Sequence, residues 1–175
     1  LATGYWLLVT AAKKKLISQR QLWFLVIIAV ILLLFSYPAF SHDIFNYIFD
    51  ARIVTKYGLS PWHYRALDFP ADLWIRFMHW THRLTPYPPF WIGLSLIPSF
   101  LGFGKFTLTL FLFKLLATGF YIGCCKIISK LNQTALVLFA FNPLVIIETL
   151  VNGHMEIVMI FFALLAIYLT GRRLL

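Results

Sequence analysis

Charge is scarce in this sequence, and acid is the scarcest part of it: 12% of the 175 residues are charged and only six are Asp or Glu. An ordinary soluble domain carries about 25% charged side chains, so this composition argues against a globule surrounded by water. Cysteine is nearly missing too. Cys124 and Cys125 are adjacent and sit inside an apolar stretch, which excludes a disulfide framework and lacks metal-ligand spacing. Segments that alternate apolar and polar residues are absent, which excludes a closed β-barrel. The formal net charge is +9, yet the cations are scattered between hydrophobic spans. No basic stripe exists for a nucleic acid, and the anions left to consider are membrane lipids and phosphate.

What the chain does have is hydrophobic bulk, 61% of its residues with a mean hydropathy of +0.84. The apolar residues come in blocks, and about 20 of them are needed to carry one helix across a bilayer. The reading is an all-α polytopic membrane protein with an amphipathic helical extracytoplasmic loop. The chain opens without Met on an apolar run, 1–12, that is too short to span and lacks the basic start of a signal peptide. It is read as a truncated membrane helix and the whole as a fragment. Lys13, Lys14, Lys15 and Arg20 make 13–21 a cytoplasmic loop under the positive-inside tendency. A membrane helix over 22–40 then carries the chain out, placing the loop 41–86 on the extracytoplasmic side.

Beyond it, 87–175 reads as further membrane helices at about 87–103, 106–128, 134–151 and 155–170. The first contains Pro88, Pro89 and Pro98 and ends at Gly102 and Gly104, the marks of a broken or re-entrant segment. Re-entry there also keeps Lys126, Lys130, Arg172 and Arg173 on the cytoplasmic side. It would put the turn at Asn152, Gly153 and His154 on the same side as 41–86.

Four of the six acidic residues (Asp43, Asp50, Asp68, Asp72) and four of the five histidines (His42, His63, His79, His82) fall in 41–86. Ser41 is a good N-cap, and a helix from about 43 to 57 should follow, ended by Gly58 and Pro61. Ile44, Phe45, Ile48, Phe49, Ile53 and Val54 group on one side of it, which predicts an amphipathic helix lying on the membrane surface. Asp43 occupies its first turn, where the helix dipole favours a carboxylate; the residue either completes the cap or serves as a base or metal ligand. Arg52, Lys56 and Arg65 either attract anionic lipid heads or bind a phosphate. The Trp and Tyr residues from Trp62 to Trp91 form an interfacial belt or a platform for a sugar ring. His154 reads as a cap, a packing residue or a ligand, and Glu148 could pair with Lys114.

The run Ser41-His42-Asp43-Ile44-Phe45-Asn46-Tyr47, then Arg52, Gly58, Pro61 and Trp62, resembles the first extracytoplasmic loop of the GT-C glycosyltransferases. It is most similar to the branch that uses polyprenyl-phosphate mannose. Tyr87-Pro88-Pro89-Phe90, Phe141-Asn142-Pro143-Leu144, Glu148 and Asn152-Gly153-His154 resemble later motifs of that family, in order, over about 41–160. There are two departures: Met155-Glu156 stands where Asn-Asp is common, and Asp43, where the family often has an acidic pair, has His42 as its neighbour. The resemblance implies an inverting transfer of sugar, mannose above all, from a polyprenyl-phosphate donor to a glycan or lipid-linked acceptor. It implies Asp43 as catalytic base, Arg52, Lys56 and Arg65 at the donor phosphate, and His42, Tyr47, Trp62, Tyr87, Asn152, His154 and Glu156 in the substrate pocket. No cofactor is called for, no metal ligand is assigned, and a divalent metal is left open. The partners are the donor, the acceptor and membrane lipids, with no nucleic acid, and the location is a multi-pass place in the plasma membrane. The rival readings are a transporter or flippase-like protein, with Pro98, Pro143 and Lys114 marking a broken-helix path, and a non-catalytic assembly subunit.

Overall fold

The computed structural model describes residues 2–173; the first residue of the 1–12 segment and the last two of 87–175 lie outside it. The described residues are helical, with short turns between, and no strand occurs among them. Two units emerge, one from Tyr37 to Leu116 and the other from the flanking sequence up to Ser36 and from Ala117 onward.

In the central unit, α3 (Asp43–Tyr57) starts where the Ser41 hydroxyl accepts from the backbone N–H of Asp43 at 3.2 Å. His42, not Ser41, holds the N-cap position and its side chain makes no cap bond. The helix ends in a Schellman turn: Gly58 has φ +66°, its N–H bonds to Val54, and that of Leu59 bonds to Ile53. A Cβ in this left-handed conformation would be strained, which explains why the helix stops at a glycine. Two 3₁₀ turns follow, Ala66–Asp68 and Leu73–Phe77. Then α4 (Pro89–Leu101) runs unbroken through Pro98; the expectation for 87–103 was a broken or re-entrant segment, and the unbroken helix leaves the second of these. One lost backbone donor does not interrupt it, since the Gly102 N–H still bonds to the Pro98 carbonyl at 3.0 Å. The unit ends with the first half of α5 (Phe106–Ser129).

Helix α3 corrects the expectation of a one-sided surface helix. Nine of its residues are buried, Asn46 and Asp50 among them. Its apolar side packs on α4, and the Thr55 and Ser99 hydroxyls share a hydrogen bond of 2.8 Å. Its remaining surface is covered by the chain that follows, through Phe69, Trp74, Ile75 and Met78 packed around Phe49, Ile53 and Ala66. Phe45, Phe77 and Phe106 stack into a second aromatic group. Aromatic surface in the loop offered enough burial to outweigh the cost of enclosing two polar side chains.

In the other unit, α1 is Ala2–Lys13 and packs on α6 (Gln133–Ala140). Helix α2 covers Gln19–Leu34, starting earlier and ending earlier than the expected 22–40. Ser18 and Gln21 form a capping box at its start, and at its end the Ser36 hydroxyl donates back to the Leu33 carbonyl at 2.7 Å ahead of Pro38. The expected span at 134–151 is divided. Asn142 caps a new start with Pro143 in the first turn, giving the short α7 (Pro143–Val145), which runs into a π-helical turn, Ile146–Val151. Relative to α6 the chain bends there by 51°. The last helix, α8, is Glu156–Arg173. Among the described residues, α5 is long and apolar enough to cross a membrane, and the bent pair passes the same test if counted as one span. Helices α2, α4 and α8 are apolar but shorter. Large apolar side chains stand exposed along α2 and α8, including Phe24, Ile31, Leu32, Met159 and Ile167.

Candidate functional site

Asp43 is half-buried in the first turn of α3 and opens into a cavity of about 90 Å³. Asn46 and Asp50 line the same cavity. The reason is helical geometry: residues three and seven positions on return to nearly the same face, one and two turns along. The opposite wall comes from the end of the loop, with Trp80, Arg83, Thr85 and Tyr87 among its residues. Thr85 is fastened by its N–H to the Pro61 carbonyl at 3.2 Å, and its hydroxyl oxygen accepts from the Tyr87 N–H at 3.3 Å. That hydroxyl hydrogen-bonds Asp50, whose carboxyl burial pushes up to about 7 against the opposing effect of Thr85. Asn46 is 7% exposed, and its Oδ1 has no hydrogen-bond partner.

Next to Asp43, the His42 ring stacks on His79 with centroids 3.7 Å apart. Burial lowers the pKa of His42, the His79 charge lowers it further, and Asp43 partly opposes both. Arg83, exposed at the rim, lays its guanidinium over Trp80 at 4.1 Å from the ring centre. Tyr87 is held by its carbonyl, which accepts from Trp62 Nε1 at 3.2 Å. Tyr47 is buried beside it, edge-on to Tyr87 and to Trp91. Of the predicted pocket residues in this unit, Tyr87 lines the cavity, Trp62 and Tyr47 support it from behind, and His42 flanks Asp43.

The predicted phosphate-binding cations are elsewhere and are divided. Arg52 Nε, Lys56 Nζ and the Tyr57 hydroxyl all donate to Asp72 Oδ2, at 2.7, 2.9 and 2.6 Å, and Asp72 Oδ1 accepts from the Trp74 N–H at 3.1 Å. Burial alone would raise the Asp72 pKa, but hydrogen bonds from Arg52, Tyr57, Lys56 and Trp74 outweigh it and hold the carboxyl well below the usual range. The Arg52 guanidinium lies on the Trp74 ring at 3.7 Å. Arg52, Lys56 and Trp74 line a second cavity of about 390 Å³ with Ser99, Phe100 and Phe103. Arg52 lies nine positions on from Asp43, which at about 100° per residue places them on opposite sides of α3. The body of the helix stands between them. Arg65 belongs to neither cavity and pairs with Asp68 in the exposed loop, Nε to Oδ1 at 3.5 Å.

In the other unit, the π-helical turn brings His154 Nδ1 to 3.0 Å from Glu148 Oε2 and 3.8 Å from Glu156 Oε2. Gly153, at φ +72°, makes the turn that lets the His154 N–H bond the Glu148 carbonyl at 2.9 Å. The three side chains line a largely apolar cavity of about 350 Å³ with Leu144, Val145, Ile157 and Ile160. Asn152 is buried. Among the described residues, no group of three His, Cys, Asp or Glu side chains is placed to hold a metal ion.

Reasoning from sequence missed Asn46, Asp50, Thr85 and Arg83 at the first cavity and Glu148 as the partner of His154. The 43, 46, 50 spacing was a readable signal, since it marks one polar stripe on a helix. No local signal pointed to Thr85 or Arg83. No curated protein and no solved structure matches this chain. A family model does, over residues 1–175, and its description is alpha-(1->6)-mannopyranosyltransferase, N-terminal domain.

Proposed function

Because the chain belongs to this alpha-(1->6)-mannopyranosyltransferase family, we propose that it carries the catalytic end of a GT-C type mannosyltransferase working on polyprenyl-phosphate mannose. The family is a mannosyltransferase family; the lipid donor, the inverting course and the residues below are our reading. The cavity at the start of α3 supports it most. There a carboxylate at a helix N-terminus shares a small polar recess with Asn46, Asp50, Thr85 and Arg83.

In this mechanism Asp43 takes the proton from an acceptor hydroxyl as that oxygen bonds to the anomeric carbon of mannose. The bond from that carbon to the phosphate oxygen breaks on the far side, and the configuration inverts. One base suffices, because the phosphate leaves as an anion without needing a proton. Arg83 is the cation that lines the Asp43 cavity, and it takes the donor-phosphate role proposed from sequence for Arg52, Lys56 and Arg65. Arg52 and Lys56, neutralised in part by Asp72, act instead to clamp the loop onto α3.

The same reading makes the protein polytopic, with 13–21 cytoplasmic and 41–86 extracytoplasmic. Helices α2, α5, the bent α6–α7 pair and α8 cross the plasma membrane, and α4 is re-entrant. The acceptor is a glycan or a lipid-linked glycan. His154, Glu148 and Glu156 border a separate recess suited to an apolar molecule with a polar end. Replacing Asp43 by Asn in the full-length protein tests the assignment. Transfer should fall about 10²–10⁴-fold, the usual contribution of a general base, with folding unchanged. Undiminished transfer by a folded Asp43→Asn protein refutes it.

A further inference from the structure

The wall of the Asp43 cavity contains more polar equipment than a proton transfer requires. Asn46 and Asp50 rise from the same face of α3 at about 4.5 and 10.5 Å along the helix from Asp43, by the rise per residue. Both are 7% exposed, so each was taken out of water on folding. Buried side-chain oxygens are nearly always satisfied, yet Asn46 Oδ1 has no hydrogen-bond partner, and Asn46 is one of the residues lining this cavity. An orphaned acceptor in a recess marks the place of a donor that arrives from outside.

We propose that Asn46 and Asp50 form a recognition ledge for the hydroxyl edge of one pyranose, Asn46 Oδ1 accepting from one hydroxyl and the Asp50 carboxyl bonding another. The inference rests on the mannosyltransferase reading of this cavity and says which groups would grip a sugar there. The volume fits: about 90 Å³ holds roughly three waters, enough for an edge of a sugar ring rather than a whole one. The partner chemistry fits as well. A sugar hydroxyl both donates and accepts, and Asp50, with burial pushing its pKa up to about 7, presents a mixture of acid and carboxylate at neutral pH. Thr85 orients that carboxyl through its own hydroxyl, which the Tyr87 N–H holds in place. Tetrahedral hydroxyls on an otherwise apolar ring are what such a sparse, fixed set of polar groups discriminates.

The pyranose could be the mannosyl group of the donor or the terminal sugar of the acceptor, and both carry suitable hydroxyls. The test uses full-length protein with monodeoxy mannosyl donors and, separately, monodeoxy acceptors. Wild-type kcat/KM should fall about tenfold or more for at least one deoxy position, as when a buried polar group is left facing nothing. The series in which it falls names the sugar. Asn46→Ala should lose a similar factor with the intact sugar and lose nothing further with the deoxy sugar that wild type discriminates. Asp50→Ala should show the same pattern at a second hydroxyl.

A wild-type profile flat to within about threefold across both series overturns the proposal, even if Asn46→Ala is too unstable to assay. A loss in Asn46→Ala that multiplies with every deoxy loss overturns it as well. Should Asp43→Asn transfer normally, the base assignment falls, and the deoxy profile still judges the ledge on its own.

Discussion

Burying Asp50 in α3 has a cost that pH can switch on and off, and Asp50→Asn is the perturbation that exposes it. The carboxyl goes from an ordinary value of 3.8 to about 7 on folding, because burial disfavours its charged form more than the Thr85 hydroxyl favours it. A group whose pKa is raised in the folded state binds its proton more tightly there than in the unfolded chain. Its stabilising effect is therefore complete below about pH 4 and is lost as pH rises through about 7. The gap of about three pH units, at about 1.4 kcal/mol each, makes roughly 4 kcal/mol the upper value. Local relaxation and water entry bring the expected figure to about 2–4 kcal/mol. Asn keeps an acceptor for Thr85 but carries no titrating proton, so it removes the pH-dependent part alone.

The assay is thermal unfolding of the full-length protein in detergent micelles between pH 4 and 8.5, followed by tryptophan fluorescence. The wild type should lose about 5–10 °C relative to Asp50→Asn between pH 4.5 and 8, at about 2–4 °C per kcal/mol for an unfolding unit of about 150–250 residues. A constant offset between the two proteins is irrelevant, since it reflects the different shape and hydrogen bonding of the amide. Parallel curves across the whole range would refute the claim that this carboxyl is buried and titrates near neutrality.

Asp72→Ala should destabilise the fold by about 3 kcal/mol in chemical unfolding, mainly by leaving the largely buried Arg52 guanidinium uncompensated, while Asp72→Glu restores part of the loss. Gly102→Ala should cost about 1–3 kcal/mol, because the new Cβ would collide with the Thr109 hydroxyl and lie 2.9 Å from its Cβ; adding Thr109→Ala should recover part of the melting temperature. Gly58→Ala, which meets no neighbour within 4 Å, should cost about 1 kcal/mol from its left-handed backbone alone. Arg83→Ala should lower kcat/KM for the mannosyl donor at least about tenfold, with little change in melting temperature, since the side chain is exposed and rests on Trp80 at the surface.

Whatever depends on near neighbours along the chain was legible before any fold was known. Helix α3 begins at Asp43 and stops at Gly58 as read, because apolar residues at helical spacing, a stretch free of Pro and Gly, and a glycine stop are all local signals. The apolar blocks and the mannosyltransferase resemblance were legible for similar reasons, being properties of composition and of motif order. Which polar residues share a space was settled by how distant segments pack. The cations at 52 and 56 looked available for phosphate, but Asp72, 16 and more residues away, engages both. The apolar pattern of 43–57 predicted a surface helix, whereas the chain from 78 to 87 folds over Asn46 and Asp50 and makes their side the wall of a cavity. A helix's period shows which residues lie on one face; what covers that face depends on loop closure between distant segments, and no short-range pattern encodes that choice.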